Sequence, residues 1–85
     1  MRYHLVIANS AKHDMRRLES SLQQRIATRL QILDKTPRPP GVKKLRDREN
    51  QWRIRVGDYR IIYEIDENER LVIILRIKHR REAYR

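Results

Sequence analysis

Residues 52–65 read WRIRVGDYRIIYEI, and this stretch decides the fold because it encodes two strands around a tight turn. In its first half Trp52, Ile54 and Val56 alternate with arginines, which is the period of a strand with one apolar face. Gly57-Asp58 supplies the turn. The two faces of the second half hold, respectively, Tyr59, Ile61, Tyr63 and Ile65, and Arg60, Ile62 and Glu64. We therefore predict a β-hairpin with an apolar face and a largely basic one.

Two further strands flank this hairpin in the sequence. The acidic segment Asp66–Glu69 predicts a turn, and Leu71–Ile77 is the most apolar run in the chain, as is typical of a strand covered on both faces. At the N-terminus, Tyr3–Ala8 has the composition of another strand, which can pair with any of the later ones.

Helical periodicity fills the region between the first strand and the hairpin. Apolar residues recur there at three- and four-residue spacing, at Met15, Leu18, Leu22, Ile26, Leu30 and Leu33. We expect Asn9-Ser10 to cap a first helix, and the capping-box pattern that begins at Ser20-Ser21 to start a second. The outer helix face is assigned to solvent and holds Arg16, Arg17, Gln24, Arg25 and Gln31.

The order of these segments predicts an α+β fold. Prolines within Thr36–Gly41 end the second helix, and Val42–Arg48 is expected to form a short edge strand or a loop. The predicted architecture is an N-terminal strand, a helical hairpin packed on one face, and a three- to four-stranded antiparallel sheet. At 85 residues we expect a single domain spanning 1–85.

The charge distribution indicates a polyanion binder. The formal net charge is +10, and the excess lies in two segments: positions 35–55 carry eight basic and two acidic residues, and positions 76–85 carry five and one. Such an uneven surplus favours binding to phosphates. The sequence has no cysteine, no signal peptide and no long apolar run, so we expect a cytoplasmic protein without a membrane partner.

The sequence contains no recognisable motif for binding a metal ion or a cofactor. The three histidines are scattered, the acidic cluster falls in a turn, and the two glycines are isolated, so we predict neither a metal site nor a cofactor. The serines fall at predicted helix starts, where capping accounts for them. Only the basic and aromatic residues remain as candidates for chemistry.

Two phrases, residues 52–65 and the ending HRREAYR at 79–85, resemble the RelE branch of the RelE/ParE toxin superfamily. This resemblance covers nearly the whole chain and implies the RelE-like microbial ribonuclease fold. It further implies a toxin of a type II toxin–antitoxin system, an mRNA interferase that acts in the ribosomal A site. Cleavage of this kind is metal-independent, since the attacking group is the 2′-hydroxyl of the substrate.

The resemblance also assigns the site residues. It implies that Arg60 and Arg80 bind the reacting phosphate and that Tyr84 acts near the 2′-hydroxyl, with Arg81 as an alternative to Arg80. The predicted RNA- and ribosome-binding residues are Lys43, Lys44, Arg46, Arg53, Arg55, Lys78, His79 and Arg81. From the residues alone, Arg60 could equally form a structural ion pair with Glu64 or with a carboxylate on a facing strand, and Tyr84 could pack on the core.

Several functions and partners therefore stand as expectations. The leading one is the ribosome-dependent endoribonuclease, with ribosome and mRNA as partners and an acidic antitoxin forming a hetero-oligomer with it. One alternative is a ParE-like inhibitor of DNA gyrase, and another is a nucleic-acid-binding module without catalysis. The basic ending with its tyrosine favours the ribonuclease.

Overall fold

The computed structural model describes residues 2–46 and 50–83, except for the side chains of Glu82 and Ala83. Tyr84, predicted to be catalytic, lies outside the described residues. The elements are β1 His4–Ile7, α1 Asn9–Arg16, α2 Ser20–Leu33, β2 Lys43–Lys44, β3 Gln51–Val56, β4 Tyr59–Asp66, β5 Leu71–His79 and α3 Arg80–Ala83. None of the described helices has the length and apolarity needed to cross a membrane.

Five strands form one mixed sheet in the order β1-β5-β4-β3-β2. The pairs β2–β3, β3–β4 and β4–β5 are antiparallel, which confirms the predicted antiparallel sheet with a helical hairpin on one face. The first strand, whose partner the sequence left open, pairs in parallel with β5. The hairpin of α1 and α2 returns the chain across the sheet, while tight turns join β3, β4 and β5.

One apolar cluster joins the helices to the sheet. Its buried members are Ala11, Ile26, Leu30, Leu33, Ile54, Val56, Ile61, Tyr63, Ile65, Val72, Ile74 and Ile77. Tyr63 is the largest of the fully buried side chains, and its hydroxyl donates a 2.7 Å hydrogen bond to the carbonyl oxygen of Pro37. Burial raises the pKa of Tyr63 far above its ordinary value, so this hydroxyl stays a donor and ties the proline segment to the sheet.

A β-bulge in β5 decides which of its side chains reach the core. Tyr63 pairs with Ile74 and Ile62 pairs with Arg76, so Leu75 is an extra residue in β5. The alternation therefore shifts by one residue, and Ile77 rather than Arg76 enters the core. Lys78 consequently points to the face of the sheet that lies opposite the helices.

Helix α1 covers the part of the β5 edge that the short β1 does not reach. The Ser10 hydroxyl donates to the carbonyl oxygen of Leu75 at 2.7 Å, and Asp14 accepts the N–H of Ile77 at 2.9 Å. Asp14 also accepts two hydrogen bonds from the Arg76 guanidinium, at 2.8 and 3.2 Å. These side chains complete an edge that would otherwise leave polar main-chain groups unpaired.

The predicted pair of helices is confirmed, but the predicted caps are wrong. The residues before the helices are Ala8 and Glu19, and neither caps its helix with a side-chain hydrogen bond. Ser10 bonds across to β5 instead, and Ser21 donates to the Glu19 carboxylate. Ser10 is thus used in a tertiary contact and Ser21 in a local side-chain contact, so neither hydroxyl is available for capping.

We expect Asp14→Asn to lower the free energy of unfolding by about 2 kcal/mol, because the charged acceptor for Arg76 is lost. Burial raises the pKa of Asp14, but the hydrogen bonds from Arg76 and from the Ile77 N–H outweigh burial and hold the pKa below its ordinary value. The stabilisation is thus complete above the unfolded-state pKa of about 3.9, and it is lost as the pH falls through the folded-state pKa.

Urea denaturation between pH 2 and 7 measures both effects of this substitution. The parent should lose stability in acid more steeply than Asp14→Asn, so the two curves converge at low pH. Glu69→Gln, which neutralises an exposed carboxylate in the β4–β5 turn, is the matched control and should follow the parent. Parallel curves for the parent and Asp14→Asn would show that this carboxylate does not stabilise the edge.

Candidate nucleic-acid interface

Three cations stand side by side on adjacent strands of the sheet. Arg55 of β3 lies opposite Arg60 of β4, and Arg60 lies opposite Lys78 of β5. Directly opposed residues have Cβ atoms about 4.5–5.5 Å apart, so like charges there repel and oppose folding. An anion bound among them relieves this repulsion, which makes the row a candidate phosphate site.

The row continues towards the sheet edge through β3 and β2. Arg53 lies two residues from Arg55 and so shares its face, and Lys43 pairs with Arg53 across the β2–β3 ladder. We call these five residues, Lys43, Arg53, Arg55, Arg60 and Lys78, the cationic face. It lies opposite the helices, as the alternation in residues 52–65 predicted for its arginines.

Arg60 is buried within this face. Its residue is 3% exposed, although it lines a cavity of about 350 Å³ together with Arg53, Arg55 and Lys43. A buried arginine stem packs like an apolar side chain, and removing it would leave a void as well as remove a charge. Arg60 therefore belongs to the floor of the face rather than to its exposed rim.

The adjacent lysines at positions 43 and 44 point to opposite faces. Lys44 pairs with Trp52, and its Nζ lies 5.9 Å from the centroid of that ring. The guanidinium carbon of Arg38 lies 4.9 Å from the same centroid. Trp52 packs against the core, so Lys44 belongs to the helix side and only Lys43 joins the cationic face. Arg46 is exposed beyond β2, near the opposite end of β3 from Arg55.

His79 also lies away from the cationic face. It pairs with Tyr59, on the side that carries Ile61 and the core, and the two rings meet edge to face with centroids 5.2 Å apart. Its Nδ1 accepts the N–H of Arg81 at 3.3 Å, at the start of α3. This geometry makes His79 an anchor for the terminal segment, and it holds the ring apart from the Arg60 row.

Arg80 begins α3 beside the β3–β4 turn. Its N–H donates to the carbonyl oxygen of Asp58 at 2.7 Å, so its main chain is fixed near the end of the hairpin that carries Arg55 and Arg60. Both Arg80 and Arg81 are exposed. The hairpin turn thus brings the second basic segment of the sequence next to the first.

Two arginines of α2, which the sequence analysis did not assign to the site, also lie beside the cationic face. Arg29 lines the same cavity as Arg60, and Arg25 lines a neighbouring one with Arg55. The sequence analysis gave Arg25 to the solvated helix face and gave Arg29 no role. Their four-residue spacing was visible, but it identifies a shared helix face without revealing what that face lies beside.

Potential metal ligands are dispersed in the described part of the chain. No group of three or more histidine or carboxylate side chains is close enough there to hold an ion. What the structure assembles is a set of permanently charged guanidinium groups and lysines, which can bind and orient a phosphodiester.

Comparison with known proteins gives a consistent family of relatives. The family model described as "ParE toxin of type II toxin-antitoxin system, parDE" matches residues 5–84. A protein of Methanocaldococcus jannaschii named "Putative toxin RelE1" is 25% identical over 88 residues, covering 100% of this chain and 98% of that protein.

Two solved toxin–antitoxin structures resemble the fold closely. The complex RelBE2 of Mycobacterium tuberculosis matches at a TM-score of 0.81 and 28% identity, covering 93% of this chain and 99% of that chain. The archaeal RelE–RelB complex of Pyrococcus horikoshii OT3 matches at a TM-score of 0.83 and 28% identity, with coverages of 94% and 97%.

Proposed function

The chain belongs to the ParE toxin family of type II toxin–antitoxin systems, and on that premise we propose that it cleaves mRNA in the ribosomal A site. The observation that carries the proposal is the row of Arg55, Arg60 and Lys78 across three strands, where like charges meet at the closest cross-strand spacing. A protein that only needed a basic surface could place these charges apart. Crowding them is useful where a pentacoordinate phosphate must be stabilised.

In the proposed reaction the substrate supplies its own nucleophile. The 2′-oxygen attacks the adjacent phosphorus, the bond to the 5′-oxygen breaks, and the products are a 2′,3′-cyclic phosphate and a 5′-hydroxyl end. Arg60 and Arg80 hold the phosphate and neutralise the charge that develops on it. Tyr84 in its phenolate form takes the proton of the 2′-hydroxyl and becomes a neutral phenol, and a cationic environment would favour the phenolate. A proton must also reach the leaving 5′-oxygen.

Ribosome dependence follows from the simplicity of this site. Three side chains can bind a phosphate and move a proton, but the attack also requires the 2′-oxygen, phosphorus and 5′-oxygen to lie in line. A flexible RNA strand rarely holds that geometry. We propose that the ribosome orients the codon, and that the remaining basic residues dock the toxin on ribosomal RNA.

A second candidate is inhibition of DNA gyrase. The family model that matches the chain bears the ParE description, whereas the solved relatives are named RelE, so the family match alone fits either activity. A gyrase supercoiling assay and primer extension on translating ribosomes separate the two. Inhibited supercoiling with intact mRNA would favour the gyrase reading.

We expect Arg60→Met to reduce the single-turnover rate of cleavage on programmed ribosomes by about 10²- to 10³-fold, the usual loss for one charge-stabilising group. Methionine keeps an unbranched apolar stem in the buried position, whereas alanine would open a cavity. Arg80→Ala should lose a similar factor, and Tyr84→Phe should reduce the rate more than it reduces ribosome binding.

Circular dichroism and the thermal midpoint identify any of these variants that fails to fold. Arg17→Ala removes an exposed charge just after α1 and serves as the control, with parental cleavage expected. A folded Arg60→Met that cuts at the parental rate would remove Arg60 from the reaction.

The internal nucleophile gives a second prediction. A single 2′-deoxy substitution at the cleaved position should abolish cutting there, while 2′-deoxy substitution one nucleotide further along should leave it unchanged. Mapping the ends by primer extension and by phosphatase-sensitive mobility should find a cyclic or 3′-phosphate upstream. Cleavage at the substituted position would rule out attack by the 2′-hydroxyl.

We propose an acidic antitoxin as the partner that restrains this activity. The two solved relatives of 28% identity are complexes of a toxin with an antitoxin, and the cationic face of this chain offers the complementary charge. A bound acidic segment would neutralise the face or displace the terminal segment that carries Tyr84.

Co-purification with the product of the neighbouring gene should yield a complex that does not cut ribosome-bound mRNA. Because exposed charge pairs are screened by salt, its Kd should rise on the order of tenfold between low and 0.5 M NaCl. A complex that still cuts at the full rate would show that this partner does not restrain the activity. The absence of both binding at low salt and cutting by the chain alone would favour a stand-alone nucleic-acid-binding module.

A further inference from the structure

Arg25 and Arg29 give α2 a basic side that faces the edge of the sheet. The two residues are four positions apart, so they project from the same helix face. Arg29 is half-buried, and it lines the cavity of about 350 Å³ beside the cationic face. Arg25 is exposed, and it lines a second cavity of about 380 Å³ with Arg29 and Arg55. The two cavities share Arg29 and Arg55 in their linings, so they lie side by side as the two parts of one depression.

We call this depression the edge groove, and its upper wall is α2 while its lower wall is the end of β3. Besides Arg25 and Arg29, its lining includes Lys43, Arg53, Arg55 and Gly57. It begins at Lys43 and the cationic face and ends at the β3–β4 turn. A strand of polyanion that leaves the phosphate row can therefore continue around the edge of the sheet.

Gly57 lies at the far end of the groove. Its φ of +59° is a conformation that glycine adopts readily, and a Cβ built there would lie 3.4 Å from a terminal guanidinium nitrogen of Arg25. The Arg25 guanidinium therefore lies against the turn. The same turn receives the Arg80 N–H through the carbonyl of Asp58. Arg25 thus sits between the groove and the start of α3.

Three of the groove's arginines carry charge that the described part of the chain does not neutralise. No acidic side chain lines either of its two parts, and Arg25, Arg29 and Arg55 form no ion pair within 4 Å among the described residues. Glu19 and Asp58 line a smaller neighbouring cavity that also meets Arg25. An anionic ligand is the chemical complement of such a surface.

The open edge of β3 is too short to favour a peptide strand instead. β2 pairs with Trp52 and Arg53, which leaves Ile54–Val56 unpaired on that side in the described residues. Three residues are fewer than the about five to six of an ordinary strand, so an added strand would gain few main-chain hydrogen bonds. The guanidinium groups, by contrast, bind phosphates without any requirement for main-chain register.

We propose that Arg25 and Arg29 form an RNA-binding site that holds backbone phosphates of the strand flanking the reacting phosphate. This inference rests on the proposed function for the identity of the ligand, a single RNA strand, but binding does not require cleavage. The source of that strand is either messenger or ribosomal RNA, which share the same phosphodiester chemistry. Arg25 and Arg29 contact the backbone and therefore contribute affinity without base preference.

The test compares two double variants of equal charge and spacing. Arg25→Gln with Arg29→Gln removes the groove charges. Lys12→Gln with Arg16→Gln removes two exposed charges with the same four-residue spacing on α1, beside a different cavity lined by Ile7, Met15, Leu30 and Ile77. A third variant, Arg25→Lys with Arg29→Lys, keeps both charges and should bind like the parent. Circular dichroism verifies the fold of each.

Binding is measured with a fluorescein-labelled single-stranded RNA of about a dozen nucleotides, and separately with vacant ribosomes that lack mRNA. We expect the Arg25/Arg29 glutamine variant to bind the RNA about tenfold more weakly at low salt. Its slope of log Kobs against log salt should fall by about 1.4, since single strands lose about 0.7 per phosphate contact. The Lys12/Arg16 variant should keep the parental slope.

Weaker binding to vacant ribosomes alone would support the site and identify its RNA as ribosomal. Equal losses in the two glutamine variants would overturn the inference, because the effect would then be one of net charge. Unchanged RNA and ribosome binding would also overturn it, including when antitoxin binding is lost, which would make the groove a protein-binding surface. A parent chain that binds RNA through these arginines without cutting mRNA would refute only the proposed function.

Discussion

The pairing register of β4 against its two neighbours is the constraint on which the rest of the structure depends. Ile61, Tyr63 and Ile65 are fully buried on its helix side, and each contributes roughly 1.5–3 kcal/mol by leaving water. A shift of the β4 register by one residue would expose all three side chains and point the Arg60 side chain into the core. Tyr63 adds a directional restraint through its hydrogen bond to Pro37, which fixes the linker that leads into β2.

The same register creates the crowding of charge on the opposite face. Arg55, Arg60 and Lys78 meet because their strands must align the apolar residues behind them, so the core supplies the stability that offsets their repulsion. A ligand that binds only the folded chain stabilises it by mass action, and an anion on this face would do so. For a chain with so small a core, an anionic ligand bound on this face would therefore add to the stability of the fold.

The two edges of the sheet are completed in different ways, and this difference positions the site. At one edge, β1 and α1 cover β5, and Asp14 binds both the Ile77 main chain and the Arg76 guanidinium. Because its guanidinium is bound to Asp14, Arg76 is not available to bind a ligand on the cationic face. At the other edge β2 is only two residues long, so α2 and the end of β3 leave a depression between them. The basic side of α2 reaches the site through that gap.

Relatives of 28% identity share this fold at TM-scores above 0.8, which indicates that few sequence features are needed to specify it. In this chain those features can be recognised from the sequence alone. They are the alternation in residues 52–65, the helical periodicity before it, and the two segments of excess positive charge. They determined the α+β architecture, and they set Arg53, Arg55 and Arg60 opposite an apolar face. Alternation suffices for this because neighbouring side chains of a strand must point to opposite sides.

What the sequence could not determine is which strands meet and where an alternation breaks. The bulge at Leu75 places Ile77 in the core and Lys78 beside Arg60. The sequence could not predict this, because a run as apolar as Leu71–Ile77 shows no alternation that tells which side chains point to the core. Lys43 and Lys44 separate, and His79 turns to Tyr59, because cross-strand pairing assigns each residue its side. Arg25 and Arg29 join the groove because α2 packs beside the end of β3. These placements were decided by tertiary structure, since each depends on contacts between residues far apart in the chain.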